Sequence, residues 1–160
     1  EQHLGLIFLD RGERALALAH LWRALEVGGL SPEGLMHLTL LLEDAGDVES
    51  AHECAALLLQ TAPGDPEVAF RRAQLLVRSR DAQIHDTATA IALVRKLLVG
   101  PLASHAAVWS LLSEALVEEG SFERALQAAD RALHLTHPED PAWQRYQFQR
   151  TRCLSSLVGG

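Results

Sequence analysis

Most residue types that announce a specific chemistry are scarce in this sequence. Only two cysteines, Cys54 and Cys153, occur in 160 residues, and they lie 99 positions apart. A disulfide framework or a cysteine-based zinc site needs clustered ligands, so neither is present. Two free thiols are the simpler reading, with one disulfide between them left open. Aromatic residues make up 5%, and β-branched residues are few, which disfavours sheet. The longest apolar runs, Leu4–Leu9 and Ala55–Leu59, fall far short of the roughly 20 residues that cross a bilayer, so no membrane insertion is expected. Fourteen Lys and Arg stand against twenty-one Asp and Glu, a net charge of −7. That balance argues against nucleic acid and anionic membranes as general partners.

Catalytic signatures are missing too. There is no glycine-rich phosphate loop and no serine-elbow motif. The eight histidines are scattered. His134-x-x-His137 with Glu139 and Asp140 spans a helix end, where histidine suits the negative dipole terminus. His52 and Cys54 do not share a helix face and read as a surface histidine beside a buried thiol. His85-Asp86 reads as a helix start. No metal, no cofactor and no catalytic residue is therefore expected. The row opens on Glu1-Gln2-His3, without the basic stretch of a signal peptide or an initiator Met. The chain is thus expected to be a fragment or processed product. The compartment stays open, with the cysteine usage leaning cytoplasmic and the periplasm compatible with a removed leader. Thirteen Arg to one Lys points to a GC-rich, bacterial coding sequence.

What is abundant is leucine and alanine, 30 and 24 residues in an overall 48% hydrophobic, 22% charged composition. Both favour helix, in a chain with enough apolar content to fold. The two residues recur in register. One copy reads Trp109-x-x-Leu112-Ser113-x-x-Leu116, Gly120-x-Phe122-x-x-Ala125-Leu126, Ala129, Ala132-Leu133, Pro138. Upstream the pattern is Leu35-x-x-Leu38-Thr39-x-x-Leu42, Gly46-x-Val48-x-x-Ala51, Ala55, Leu58, Pro63. Shifted by 34 again it is Leu4-Gly5-x-x-Phe8, Gly12, Ala17-Leu18, Leu21, Ala24-Leu25. A third copy, Ala69-x-x-Arg72-Ala73-x-x-Leu76 then Ala90-Ile91, Val94 and Leu97-Leu98, carries about five extra residues between its halves. Trp143 begins a final half-copy, 34 residues after Trp109.

Three- and four-residue apolar spacing makes each copy a pair of amphipathic helices. Small residues (Ala17, Ala51, Ala90, Ala125) mark the close crossing within a pair, and Phe8, Leu42, Leu76 and Leu116 fill the space beside it. Gly12, Gly46 and Gly120 are placed to end the first helices in left-handed caps. Ser31-Pro32, Asp65-Pro66 and Asp140-Pro141 combine an N-cap acceptor with a proline tolerated at the first helical position. One hairpin cannot cover its own apolar faces, so neighbours must stack.

On these residues the chain resembles the tetratricopeptide repeat family over nearly its whole length. The resemblance implies an all-α, right-handed α-solenoid of antiparallel helix hairpins. About four repeats (1–30, 31–64, 65–104, 105–139) and a C-terminal capping helix (140–157) form a single domain. The match departs from the family at the small first-helix position, which is glycine only at Gly5 and is Thr39, Ala73, Ser113 and Gln147 elsewhere. The insertion Arg80–Asp86 lengthens the third turn.

The resemblance implies a concave groove lined by first helices and a non-catalytic scaffold or adaptor that binds a peptide or protein segment there. The positions it points to are Met36, His37, Leu40, Phe70, Arg71, Gln74, Arg78, Leu111, Glu114, Arg145 and Phe148. Met36, Leu40, Phe70, Leu111 and Phe148 offer apolar surface, or pack against flanking repeats. Arg71 with Arg78 and Arg145 with Arg152 are spaced to grip carboxylates, of a partner or of Glu43, Asp44, Glu114 and Glu118 nearby. The family's chaperone-tail clamp needs Lys and Asn. With no Asn and only Lys96, that clamp is absent. Two alternatives remain: a recruiting or regulatory module of a larger enzyme such as a glycosyltransferase or hydroxylase, and a self-assembling unit.

Overall fold

The structure is a computed structural model that describes residues 1–61, 63–79 and 82–159. Among the described residues it contains nine α-helices and no strand. Two compact units, residues 1–68 and 69–160, divide the chain. The first holds α1 (Gln2–Asp10), α2 (Arg14–Glu26), α3 (Pro32–Ala45), α4 (Val48–Thr61) and the opening turn of α5 (Pro66–Arg78). The second holds the rest of α5, then α6 (Thr87–Leu98), α7 (Ala106–Glu118), α8 (Phe122–His134) and α9 (Pro141–Val158).

Within the first unit α1 packs on α2, α2 on α3 and α3 on α4; within the second, α6 packs on α7, α7 on α8 and α9, and α8 on α9. Within each unit these paired helices cover one another's apolar stripes, as stacked hairpins must.

The punctuation follows the sequence. Gly12, Gly46 and Gly120 all take positive φ, 75°, 80° and 81°. Behind each, the next residue donates its N–H five positions back: Glu13 to Phe8, Asp47 to Leu42, Ser121 to Leu116, at 2.8–2.9 Å. That is the paired bonding that lets a helix stop and reverse within two or three residues. Gly28 does the same at the end of α2, with φ 69°; the sequence reading had not singled it out. Ser31, Asp65 and Asp140 accept backbone N–H groups at the starts of α3, α5 and α9. Asp86 caps α6 through Thr89, and these bonds hold its carboxyl below the ordinary aspartate value. The α5–α6 connection has no such glycine. There the N–H of Asp86 reaches the carbonyl of Leu76 at 3.1 Å. Arg80 and Asp81, the start of the expected insertion, lie outside the described residues.

The close crossings are where small residues were expected. Ala17, Ala51, Ala90 and Ala125 are all fully buried. A Cβ on Gly5 would stand 2.7 Å from Cγ of Leu21, so α1 and α2 touch backbone to side chain there. Thr39, Ala73 and Ser113, at the equivalent positions, are also completely buried. The two hydroxyls are satisfied locally, Thr39 by the carbonyl of Leu35 at 2.8 Å and Ser113 by that of Ala125 at 2.8 Å. Gln147, at the equivalent position of α9, is half-buried.

Both cysteines are free and buried. Burial, aided by Glu53 and Asp47, pushes the Cys54 thiol up to about 11. Among the described residues no group of three or more His, Cys, Asp or Glu is arranged to hold a metal ion, and no helix is long and apolar enough to cross a membrane.

Candidate functional site

The second unit contains a cleft of about 420 Å³ formed by the C-terminal ends of α5 and α7 and the middle of α9. Its walls include Val77, Arg78, Glu114, Val117, Glu118, Arg145, Phe148, Gln149 and Arg152. Four of the residues expected from the sequence (Arg78, Glu114, Arg145, Phe148) are thus brought together, and Arg152 joins them.

α9 presents this face because its other side is locked down. Gln149 is 9% exposed and exchanges two hydrogen bonds with Ser110 of α7. Its Oε1 accepts from the Ser110 hydroxyl at 2.6 Å, and its Nε2 donates to the Ser110 carbonyl at 2.8 Å. Tyr146 and Cys153 bury the same side of α9, with the Cys153 sulfur 3.6 Å from the Ser113 hydroxyl. Arg150 pairs with Asp130 of α8. A helix turns about 100° per residue, so Arg145, Phe148 and Arg152 fall along one exposed edge.

The charges in the cleft are unevenly matched. Arg78 grips Glu114 with Nε and Nη2, both at 3.1 Å. Glu118 faces the His85 ring at 3.0 Å. Both acids of α7 thus have partners within the unit. Arg145 stacks its guanidinium 5.5 Å from the ring centre of Tyr146, and among the described residues no carboxylate pairs with it or with Arg152. Phe148 between them is 67% exposed.

The other expected positions are placed differently. Leu111 is 0% and Phe70 7% exposed. Both belong to the apolar core of the second unit, with Ala73, Val94, Val108 and Leu116, which corrects their reading as groove surface. The reason is packing from more than one side: α7 is covered by α6, α8 and α9, and that leaves Leu111 no open face. Ser110 beside it is buried by its exchange with Gln149. Arg71 donates to Gln74 at 3.2 Å along α5. In the first unit, Met36 and His37 line a separate hollow of about 310 Å³ with Leu58, Val68, Glu33, Asp65 and Glu67. Leu40 is half-buried outside it. Gln149 was missed by the sequence reading, because nothing in one row links it to a serine 39 positions away.

The backbone can be compared with solved structures. Its fold resembles that of MamA. "MamA 41-end from Desulfovibrio magneticus RS-1" superposes with a TM-score of 0.74 at 19% identity, over 98% of this chain and 89% of that one. MamA AMB-1 gives 0.70 at 22% identity over 96% and 89%, and MamA MSR-1 gives 0.69 at 20% over 96% and 88%. At such identity the likeness to MamA is one of fold: an all-α helical repeat of tetratricopeptide type. No family model matches the sequence, and no curated protein does.

Proposed function

We propose that the chain is a protein-interaction module that holds a peptide or protein segment in the cleft between α5, α7 and α9. Binding, not catalysis, is its mechanism. One observation carries the reading: an exposed phenylalanine, Phe148, sits between two arginines without carboxylate partners among the described residues, on a helix edge fixed by a buried hydrogen-bonded pair. An aromatic anchor flanked by guanidinium groups is the usual make-up of a strong recognition point. The fold supports it, since stacked hairpins offer surface rather than an enclosed reaction chamber.

Selection of short peptides from an unbiased display library, followed by fluorescence anisotropy, tests the reading. Selected peptides should lose at least roughly ten-fold in affinity on Phe148→Ala, the scale of one anchor residue. Failure to select any binder, or binders indifferent to Phe148, would overturn it.

A second reading, self-assembly, is supported by Leu4 and Ile7, each 45% exposed on α1. Sedimentation velocity across a concentration series should then show a shift to larger species that Leu4→Ser with Ile7→Ser abolishes.

A further inference from the structure

We infer that the segment held in this cleft is acidic, with an apolar residue set between two carboxylates about 10 Å apart. The inference rests on the proposed function and specifies the partner's chemistry. The spacing comes from α9. Arg145 and Arg152 are seven residues apart, and a rise of 1.5 Å per residue puts their Cα atoms about 10 Å apart. A partner in polyproline II conformation repeats its face every three residues and advances about 9 Å in doing so. Acids three positions apart on such a segment meet the two guanidinium groups together. A residue between those acids reaches Phe148 and the valines of the cleft, Val77 and Val117.

The sign of the charge follows from which groups in the cleft are already paired. Glu114 is held by two nitrogens of Arg78, and Glu118 faces His85. A basic partner would have to compete with those contacts for each carboxylate. An acidic partner finds Arg145 and Arg152 without carboxylate partners among the described residues. Guanidinium groups also suit the task, because they bind carboxylates through two parallel hydrogen bonds. The whole second unit agrees in sign. It carries eleven Arg and Lys against nine Asp and Glu, so +2.

The test uses the intact chain and peptides of about twelve residues selected from an unbiased display library. The expected consensus is rich in Asp and Glu around one apolar residue. Arg145→Glu with Arg152→Glu should then weaken binding at least roughly twenty-fold, and the lysine pair Arg145→Lys with Arg152→Lys should weaken it only several-fold. Affinity should also fall as salt rises from about 0.05 to 0.5 M, as screening requires. Both arginines are exposed, so circular dichroism should stay unchanged in the variants. Selected peptides that need Phe148 but are neutral or basic, or that ignore the charge reversal, would overturn the acidic assignment while leaving the cleft as the binding site. Binders indifferent to Phe148 would overturn the cleft itself. Cross-competition by a second copy of the chain, whose first unit is strongly acidic, would place the acidic segment on the protein itself and support the same chemistry.

Discussion

The two units share one structural grammar and carry opposite surfaces. Each builds hairpins around a fully buried alanine, Ala51 in the first and Ala125 in the second, and closes a first helix with a left-handed glycine, Gly46 and Gly120. Yet residues 1–68 hold three Arg against twelve Asp and Glu, so −9, while residues 69–160 come to +2. The hollow in the first unit is rimmed by Glu33, Asp65 and Glu67; the cleft in the second sets Arg78, Arg145 and Arg152 against Glu114 and Glu118. The repeated positions therefore specify packing, and the positions between them are free to specify partners. This separation lets helical repeats keep one fold while their binding surfaces change.

The contrast between core and surface within the second unit is the easiest part of that account to break. Leu111→Ala should cost about 2–5 kcal/mol in urea denaturation, as deletion of a fully buried leucine does. Phe148→Ala should change stability by less than about 0.5 kcal/mol. Similar effects from the two would mean that Leu111 and Phe148 do not belong to different environments. The shared grammar is tested next. Ala51→Leu and Ala125→Leu should each destabilise by about 1–3 kcal/mol through overpacking, and a neutral result in either unit would break the equivalence of the two crossings. Gly46→Ala and Gly120→Ala should cost about 1–2 kcal/mol each, the strain of a Cβ in left-handed backbone. Equal melting temperatures for variant and parent would refute the caps.

Alkaline pH probes the first unit. Cys54 has its thiol raised to about 11 in the folded first unit from an ordinary value of 9.0. The unfolded chain therefore loses this proton first, and stability falls as pH rises from about 9 towards about 11. Cys54→Ala should flatten that part of the profile. A slope unchanged by the substitution would assign the alkaline loss to other groups.

The fold was legible in one row because repeats state the same thing several times. Gly12, Gly46 and Gly120 recur at one position of the pattern, as do the crossing alanines, and each copy corroborates the others. The expected caps at Ser31, Asp65, Asp86 and Asp140 are short-range bonds that sequence spacing dictates. The cleft was only half legible. Arg78, Glu114, Arg145 and Phe148, four of the positions implied by the resemblance to the repeat family, line one cleft. Leu111 and Phe70 are core instead, because a family pattern gives the direction of a side chain along its own helix, not how many neighbours cover it. The Ser110–Gln149 exchange was invisible, since it depends on how far α9 slides along α7. The Arg78–Glu114 pair was one of two outcomes the charges allowed, and it decides which arginines stay available to a partner.

The most direct test of the central claim is an amide chemical-shift titration of the isotope-labelled chain with a library-selected peptide. The account predicts the largest perturbations at Arg145, Phe148, Gln149 and Arg152 of α9 and at Val117 and Glu118 of α7, with the amides of Met36, His37 and Leu58 still. Perturbations centred on Met36 and His37, with α9 unmoved, would contradict it.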